Sequence, residues 1–328
     1  MTLKDVARLS GVSEISVSRV MRNAPNISDT LRQKVTEAAT LLGYTPNRLA
    51  GGLKSSSSNL VAVIVPSISN AVFPEVLDGI DSVLAETKYQ PVLGITHYDP
   101  VREIRVVRDM LAWSPAGVIM VGSDVSPEIR EILGLRDIPI IQMMDTDAAP
   151  LQISVGISHK RAAREVADFI VARGYCNPGY IGAWAELPQR SRCRRLAYEA
   201  RLAELGVPLV AHLIRAESSS ISLGEFALGE LLRTNPDVDA VFFSNDDLAI
   251  GAMFHCIRVG RRIPEDVALI GFNGFDMGKS LPIELTTIET PRYIMGVEAA
   301  RAFLRRKSDP NFSGVTDLGY RLRAGKSA

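Results

Sequence analysis

The run Ser13-Glu14-Ile15-Ser16-Val17-Ser18-Arg19 gathers donors, acceptors and an apolar tip that can read the edges of nucleic-acid bases. At helical spacing Glu14, Ile15, Ser18 and Arg19 share one face, while Val17 and Val20 turn to the other. An arginine so placed can donate two parallel bonds to O6 and N7 of guanine, worth roughly 1–3 kcal/mol of discrimination. Glu14 can accept from N4 of cytosine, but it repels phosphates, so it either reads a base or excludes wrong sequences. Ser13 and Ser28 stand at helix N-termini, where a hydroxyl can serve a phosphate or the first turn of its own helix. Asn26, just before Ser28, has the same two readings.

These residues need a scaffold, and residues 3–45 describe one. An apolar-periodic segment from Leu3 ends at Gly11, a residue that tolerates the left-handed backbone of a tight turn. Ser13 then caps a second helix, and Val6, Ala7, Val12, Val17 and Val20 supply a packed face. A third helix follows Ser28, with Leu31, Val35, Ala38, Ala39 and Leu42 on one side and Gly43 as its stop. The layout is a helix-turn-helix. Residues 1–54 hold eight Lys/Arg against four Asp/Glu, and the rest of the chain 29 against 33, so a basic head sits on a slightly acidic body. That gradient fits polyanion binding at one end only. Beyond Pro46 comes Asn47-Arg48-Leu49-Ala50-Gly51-Gly52-Leu53-Lys54 and a run of four serines, a linker signal. Two turns of helix would fit before the serines, but Gly51 and Gly52 each cost roughly 1 kcal/mol relative to Ala, so this segment is helical only when something holds it.

Other chemistries find no support. Cys176, Cys193 and Cys256 are too few and too far apart for a disulfide framework or a zinc site. His97, His159, His212 and His255 have no metal spacing and no nucleophile beside them, and read as solvated or structural. No Gly-x-Gly-x-x-Gly follows a strand and no phosphate loop is present, so no cofactor, no metal and no catalysis are expected. The N-terminus is amphipathic rather than a signal peptide, and runs such as Leu60–Val65 are far too short to span a bilayer. A soluble cytoplasmic protein is expected.

From Leu60 the pattern changes to short β-branched runs alternating with amphipathic helices. Candidate strands are Leu60–Val65, Pro91–Ile95, Gly117–Val121, Ile138–Met143, Gln152–Val155, Gly179–Gly182, Ala240–Phe243 and Val267–Gly271. Strand–helix alternation means parallel sheet with helices on both faces. One sheet of six strands uses about half of this segment, so two α/β subdomains are expected, with a ligand cleft between them.

The chain resembles LacI-type bacterial repressors over nearly its whole length. Leu3-Lys4-Asp5-Val6-Ala7 with Val17-Ser18-Arg19-Val20, Leu42-Gly43-Tyr44-Thr45-Pro46-Asn47, Val241–Gly251, Ile263–Phe272 and Leu285-Thr286-Thr287-Ile288 carry the likeness. Within that family Ser69–Leu77, Ser218-Ser219-Ser220 and Gly271–Gly278 are similar to the gluconate-repressor group. The resemblance implies an α/β fold class: an N-terminal all-α helix-turn-helix domain (1–45), a hinge and linker (46–58), and two doubly wound, periplasmic-binding-protein-like subdomains. These are 59–157 plus 290–316, and 158–289 plus 317–328. It implies double-stranded operator DNA as partner, a homodimer or tetramer, and control by a small metabolite. The hinge would enter the minor groove, with Leu53 wedged between base pairs, Ala50 allowing close approach and Asn47 leading in.

The same likeness points to the effector site. Arg194 stands where the family grips its ligand, in Arg194-Arg195-Leu196-Ala197-Tyr198, and a guanidinium can clamp a carboxylate with two charge-assisted bonds. Asn245 and Asp246 follow a strand at its carboxyl end, with helix capping an equal account of Asp246. Asn273 replaces an aspartate usual in sugar- and purine-responsive relatives, which favours an anion. Phe73 is expected as an apolar wall, or as core; Ser67, Asp145, Ser218 and Ser219 are further polar candidates. The sequence thus points to a repressor controlled by a sugar acid such as gluconate. A corepressor-dependent regulator with another metabolite, a sugar-binding α/β protein, and a global regulator with a vestigial site stay open.

Overall fold

The computed structural model describes residues 1–22, 24–45, 58–122, 125–184 and 189–328. Asn47, Ala50, Leu53 and the Gly51-Gly52 pair lie outside the described residues. The chain divides into two units, Met1–Ser58 and Asn59–Ala328.

The first unit packs α1 (Leu3–Ser10), α2 (Glu14–Met21) and α3 (Asp29–Leu41) around Val6, Ala7, Val17, Val20, Val35, Ala38 and Ala39. Every start and stop has a local cause. Thr2 caps α1 in a reciprocal box with Asp5, and Gly11 ends it at φ 68°. Ser13 Oγ accepts from Ser16 N at 3.2 Å and Ser28 Oγ from Leu31 N at 3.3 Å, so both serines do cap their helices.

The second unit contains two six-stranded sheets. The first runs β2 (Gln90–Ile95), β1 (Leu60–Val65), β3 (Gly117–Val121), β4 (Ile140–Asp145), β5 (Ile153–Ile157), β11 (Gly314–Asp317). The second runs β7 (Ala211–Ile214), β6 (Pro178–Gly182), β8 (Ala240–Phe243), β9 (Ala268–Asn273), β10 (Thr286–Glu289), β12 (Arg321–Arg323). The pairings are parallel except β10 with β12. Both sheets therefore reverse strand order beside their first strand, the place where open α/β sheets bind ligands.

The helices of this unit are α4 (Val72–Leu84), α5 (Pro100–Ala112), α6 (Pro127–Gly134), α7 (His159–Ala172), α8 (Gln189–Glu204), α9 (Ile221–Thr234), α10 (Asp246–Val259), α11 (Asp276–Ser280) and α12 (Arg292–Ser308). The sequence pattern misses α6, α11 and α12 and the strands β7, β10, β11 and β12. For α12 the reason is composition: its buried face dilutes Met295, Val297 and Phe303 with Gly296, Ala299, Ala300, Ala302 and the charged Arg292, which weakens the hydrophobic periodicity. β11 is exposed at all four residues, so it shows no alternation to read.

Two helix pairs meet backbone to backbone, which only glycine permits. In the first lobe a Cβ on Gly79 of α4 would lie 2.1 Å from Tyr293 O, and one on Gly296 of α12 would lie 2.0 Å from Val76 O. In the second lobe Gly224 of α9 and Gly251 of α10 do the same, against Leu248 O and Ile221 O. Among the described residues no helix is long and apolar enough to cross a membrane.

Candidate functional site

Loops at the carboxyl ends of the strands build a cavity of about 390 Å³ between the two sheets. Asn70, Val72 and Phe73 enter after β1, Tyr98 after β2, Met144 at the end of β4 and His159 after β5. Trp184 follows β6, Arg190, Ser191 and Arg194 lie on α8, Asn245 follows β8, and Asn273 ends β9. Tyr98 and Trp184 bring one lobe to the other, their rings 5.1 Å apart.

Strain concentrates here. Tyr98, Met144, Trp184 and Asn273 all hold positive φ, at 59°, 83°, 55° and 114°. Such backbone costs of order 1–3 kcal/mol per residue and persists where the surroundings over-determine it. For Asn273 the surroundings are visible. Its carbonyl accepts from Arg292 and Thr290, and Arg292 pairs with Glu75 on α4 at 2.7 Å.

Arg194 is almost fully buried and held on three sides. Nη1 donates to His159 Nδ1 at 3.0 Å, Nη2 donates to Ser244 O at 2.9 Å, and the guanidinium lies 4.1 Å from the Phe272 ring centre. These partners settle the histidine tautomer. Arginine can only donate, so Nδ1 must accept; Met144 O, 2.9 Å from Nε2, can only accept, so Nε2 carries the proton. Burial first, then the charges of Arg194 and Arg190, hold the imidazole far below its ordinary value and keep it neutral. Burial also brings the Arg194 guanidinium down to about 10, with the Arg190 charge adding to the fall. The cavity wall thus carries two cations, and no Asp or Glu among its described residues.

Asn245 begins α10 without capping it. Its Oδ1 instead accepts from Asn273 Nδ2 at 3.2 Å, which leaves Asn245 Nδ2 to donate and Asn273 Oδ1 to accept. A polyol offers both kinds of partner. Ser191 Oγ and Arg194 Nε are buried with no hydrogen-bond partner among the described residues.

Of the residues singled out by sequence, Phe73, Arg194, Asn245 and Asn273 line this cavity, and five others do not. Asp246 corrects both of its readings: it neither caps α10 nor faces the cavity. Its fully buried carboxylate accepts from Thr287 Oγ1 and from Phe275 N, both at 2.6 Å, and burial pushes it up to about 6. It clamps the loop after β9 onto β10. Asp145 is buried and accepts from Asp147 N. Ser67 Oγ closes its own turn with Ser69 N and Asn70 N, Ser219 donates to Asp247 at 2.6 Å, and Ser218 is exposed. Asn70, Tyr98, Met144, His159, Trp184, Arg190 and Ser191 were not singled out as effector contacts. His159 in particular is a cavity wall rather than a remote structural histidine. The position just after a strand was a usable signal for Asn70, Tyr98, His159 and Trp184. The four-arginine run divides by helical spacing: Arg190 and Arg194 turn inward, Arg192 is exposed, and Arg195 pairs with Glu199 at 3.0 Å.

A second concavity, about 1090 Å³, is a shallow groove along α9 and α10 lined by Phe226, Gly229, Arg233 and His255. Ser222, Glu225 and Glu230 line it too, but it is open to solvent and would leave a small ligand largely exposed, so the more enclosed interlobe cavity is the better small-molecule site.

In the head, Glu14, Ile15 and Arg19 are exposed on one side of α2 with Ser18 half-buried between them. Ile15 is 74% exposed, far more than packing needs. Asn26 is exposed at φ 59° in the turn before α3.

Residues 2–47 match the model of bacterial regulatory proteins of the lacI family, and residues 58–311 that of periplasmic binding proteins and the sugar binding domain of the LacI family. The chain is 36% identical over 327 residues to the HTH-type transcriptional regulator GntR of Escherichia coli (strain K12), covering 99% of this chain and 98% of that protein. The GntR regulator of Pseudomonas aeruginosa is 35% identical over 328 residues, covering 99% and 95%. A solved LacI-family transcriptional regulator from Silicibacter pomeroyi superposes with a TM-score of 0.95 at 40% identity, covering 100% and 99% of the two chains. With its DNA-reading head and its sugar-binding-type body, the chain belongs to the LacI family of bacterial transcriptional regulators.

Proposed function

We propose that this regulator is a repressor whose operator affinity is set by a sugar acid, gluconate or a close relative, held between the two lobes. The observation that carries the reading is the charge of the cavity. It presents two guanidinium groups, amide and hydroxyl partners, and no carboxylate among its described residues. A neutral sugar would bring no charge to two guanidinium groups that face no carboxylate among the cavity's described walls; a polyhydroxy acid supplies one carboxylate and several hydroxyls. The likeness to the gluconate-repressor group and to the two GntR regulators agrees. Ligand acts by favouring one arrangement of the lobes, so its leverage is the difference in affinity between two conformations.

The test uses full-length protein and an operator duplex obtained by in vitro selection. Gluconate is expected to change operator affinity by about 5- to 150-fold, with glucose ineffective. Release marks an inducer and tightening a corepressor. No change removes gluconate, and absence of salt-dependent duplex binding removes the repressor reading in favour of a sugar-binding protein.

Glu14, Ile15, Ser18 and Arg19 are assigned to the operator's base edges, and Ser13, Ser28 and Asn26 to its phosphates. Ile15→Ala should leave the head within about 0.5 kcal/mol of its stability, because the side chain is exposed, yet weaken specific operator binding about tenfold. Val17→Ala, at a fully buried position, should cost roughly 2 kcal/mol and melt a head with so small a core. Circular dichroism melting and fluorescence anisotropy separate the two. Equal loss of stability in both variants would mean that Ile15 is core. Phe226, Phe254 and Ile257, all exposed on α9 and α10, are assigned to a homodimer face.

A further inference from the structure

Within the sugar-acid reading, on which this inference rests, we propose that Arg190, assisted by the Ser191 hydroxyl, is the carboxylate anchor, and that Arg194, held by the protein, adds a single bond and braces the site. Bidentate recognition needs two parallel N–H groups on one edge of a guanidinium, both free. Arg194 has spent a hydrogen of each terminal nitrogen on a different protein acceptor, His159 Nδ1 and Ser244 O, and its face rests on Phe272. Turning it toward a ligand would break two buried bonds and leave a histidine and a carbonyl unsatisfied. Two of its five N–H groups are spent, and Nε is its one buried nitrogen left with no partner among the described residues.

Arg190 lies one helical turn earlier on α8 and lines the same cavity. It makes no hydrogen bond to another described residue, so no described group takes up its fork. The half-buried guanidinium is disfavoured by burial, with Tyr98 and Asp145 offsetting part of that cost. Ser191 adds the second observation. The residue is 97% buried, lines the cavity and its hydroxyl has no partner among the described residues, a state that native proteins avoid unless water or a bound group completes it. An anion here would take two bonds from Arg190, one from Ser191 and one from Arg194 Nε, and would screen the repulsion between the two arginines. The hydroxylated tail would then meet Asn245 Nδ2 and Asn273 Oδ1, the free ends of the amide pair.

The experiment is calorimetric titration of full-length wild type, Arg190→Lys, Arg190→Gln and Arg194→Gln with gluconate, beside thermal melting of each ligand-free protein. Arg190→Lys keeps the charge but loses the fork and should weaken gluconate about 3- to 10-fold; Arg190→Gln should weaken it about 10- to 100-fold. Neither should lower the ligand-free melting temperature, since neither breaks a hydrogen bond between described residues. Arg194→Gln should weaken gluconate and also lower that temperature, because it breaks the bonds to His159 and Ser244. Arg190→Gln binding within threefold of wild type overturns the assignment. So does a loss of binding in Arg190→Gln accompanied by a fall in melting temperature as large as that of Arg194→Gln. Wild type giving no heat with gluconate or any other aldonate overturns the sugar-acid reading itself, and this assignment with it, before any variant is compared.

Discussion

Asp246→Asn is expected to remove roughly 3 kcal/mol of pH dependence from the stability of residues 59–328. The Asp246 carboxyl is fully buried, and burial raises it from its ordinary 3.8 to about 6. The folded chain therefore holds this proton more tightly than the unfolded one. Between about pH 4 and 6 the folded state binds more protons, so stability falls as pH rises through that window. The full displacement is worth roughly 3 kcal/mol, of which roughly 2 kcal/mol falls between pH 4.5 and 7.5. Asparagine cannot ionise and has no such slope. Wild type should thus gain on the variant by roughly 2 kcal/mol as pH drops from 7.5 to 4.5. His159 works in the opposite direction: neutral in the fold and depressed below 6.5, it contributes stability above that pH and loses it as pH falls. Being common to both proteins, it cancels in the difference. Urea unfolding at the two pH values, followed by the fluorescence of Trp113 and Trp184, measures the effect. A difference constant within about 0.5 kcal/mol would mean that Asp246 titrates as an exposed carboxylate and does not clamp Phe275 and Thr287 as described.

Gly296→Ala should destabilise the first lobe by about 2–4 kcal/mol, against the gain of up to about 1 kcal/mol that alanine brings to a helix interior. The new Cβ would sit 2.0 Å from Val76 O and 2.9 Å from Ile80 N. Both are backbone atoms of α4 and cannot rotate away, so the two helices must separate and open voids along a close-packed face. α4 begins with Val72 and Phe73, two walls of the cavity, so effector affinity should fall as well. Gly134→Ala is the matched control. That glycine ends α6 with nothing within 4 Å of a Cβ, and its replacement should be neutral or slightly stabilising. Equal effects in the two variants, read from urea midpoints, would show that helix propensity rather than the α4–α12 contact decides stability.

The two cases show where sequence reasoning succeeds. Strand β1 is legible because Leu60–Val65 is a continuous apolar run rich in Val and Ile, and a strand buried on both faces needs nothing else. Helix α12 is illegible because its packing depends on what is missing from Gly296 and the alanines beside it. Asp246 looked like a ligand contact because an acid after a strand at the start of a helix has that address. Its side chain is instead taken up by Thr287, 41 residues further on. His159 is the reverse case: nothing in its own stretch of sequence marks it, because its partners Met144 and Arg194 lie 15 and 35 residues away.

Local interactions sufficed for the head and for the alternation of the body. Caps at Ser13 and Ser28, the turn at Gly11 and the periodicity of Val6, Val17, Val20 and Val35 act within a few residues, so the exposed face of Glu14, Ile15 and Arg19 follows from order alone. The family blocks likewise carry the two-lobed body and the inward-facing Arg194. The cavity is different, because its walls run from Asn70 to Asn273 and meet only when both sheets are folded. Only tertiary contact decides that Arg194 is bound to His159 and Ser244 while no described residue hydrogen-bonds Arg190, or that Asp246 is a clamp. Hydrogen-bond capacity is finite, and which donors remain for a ligand is known only after the protein has used its own.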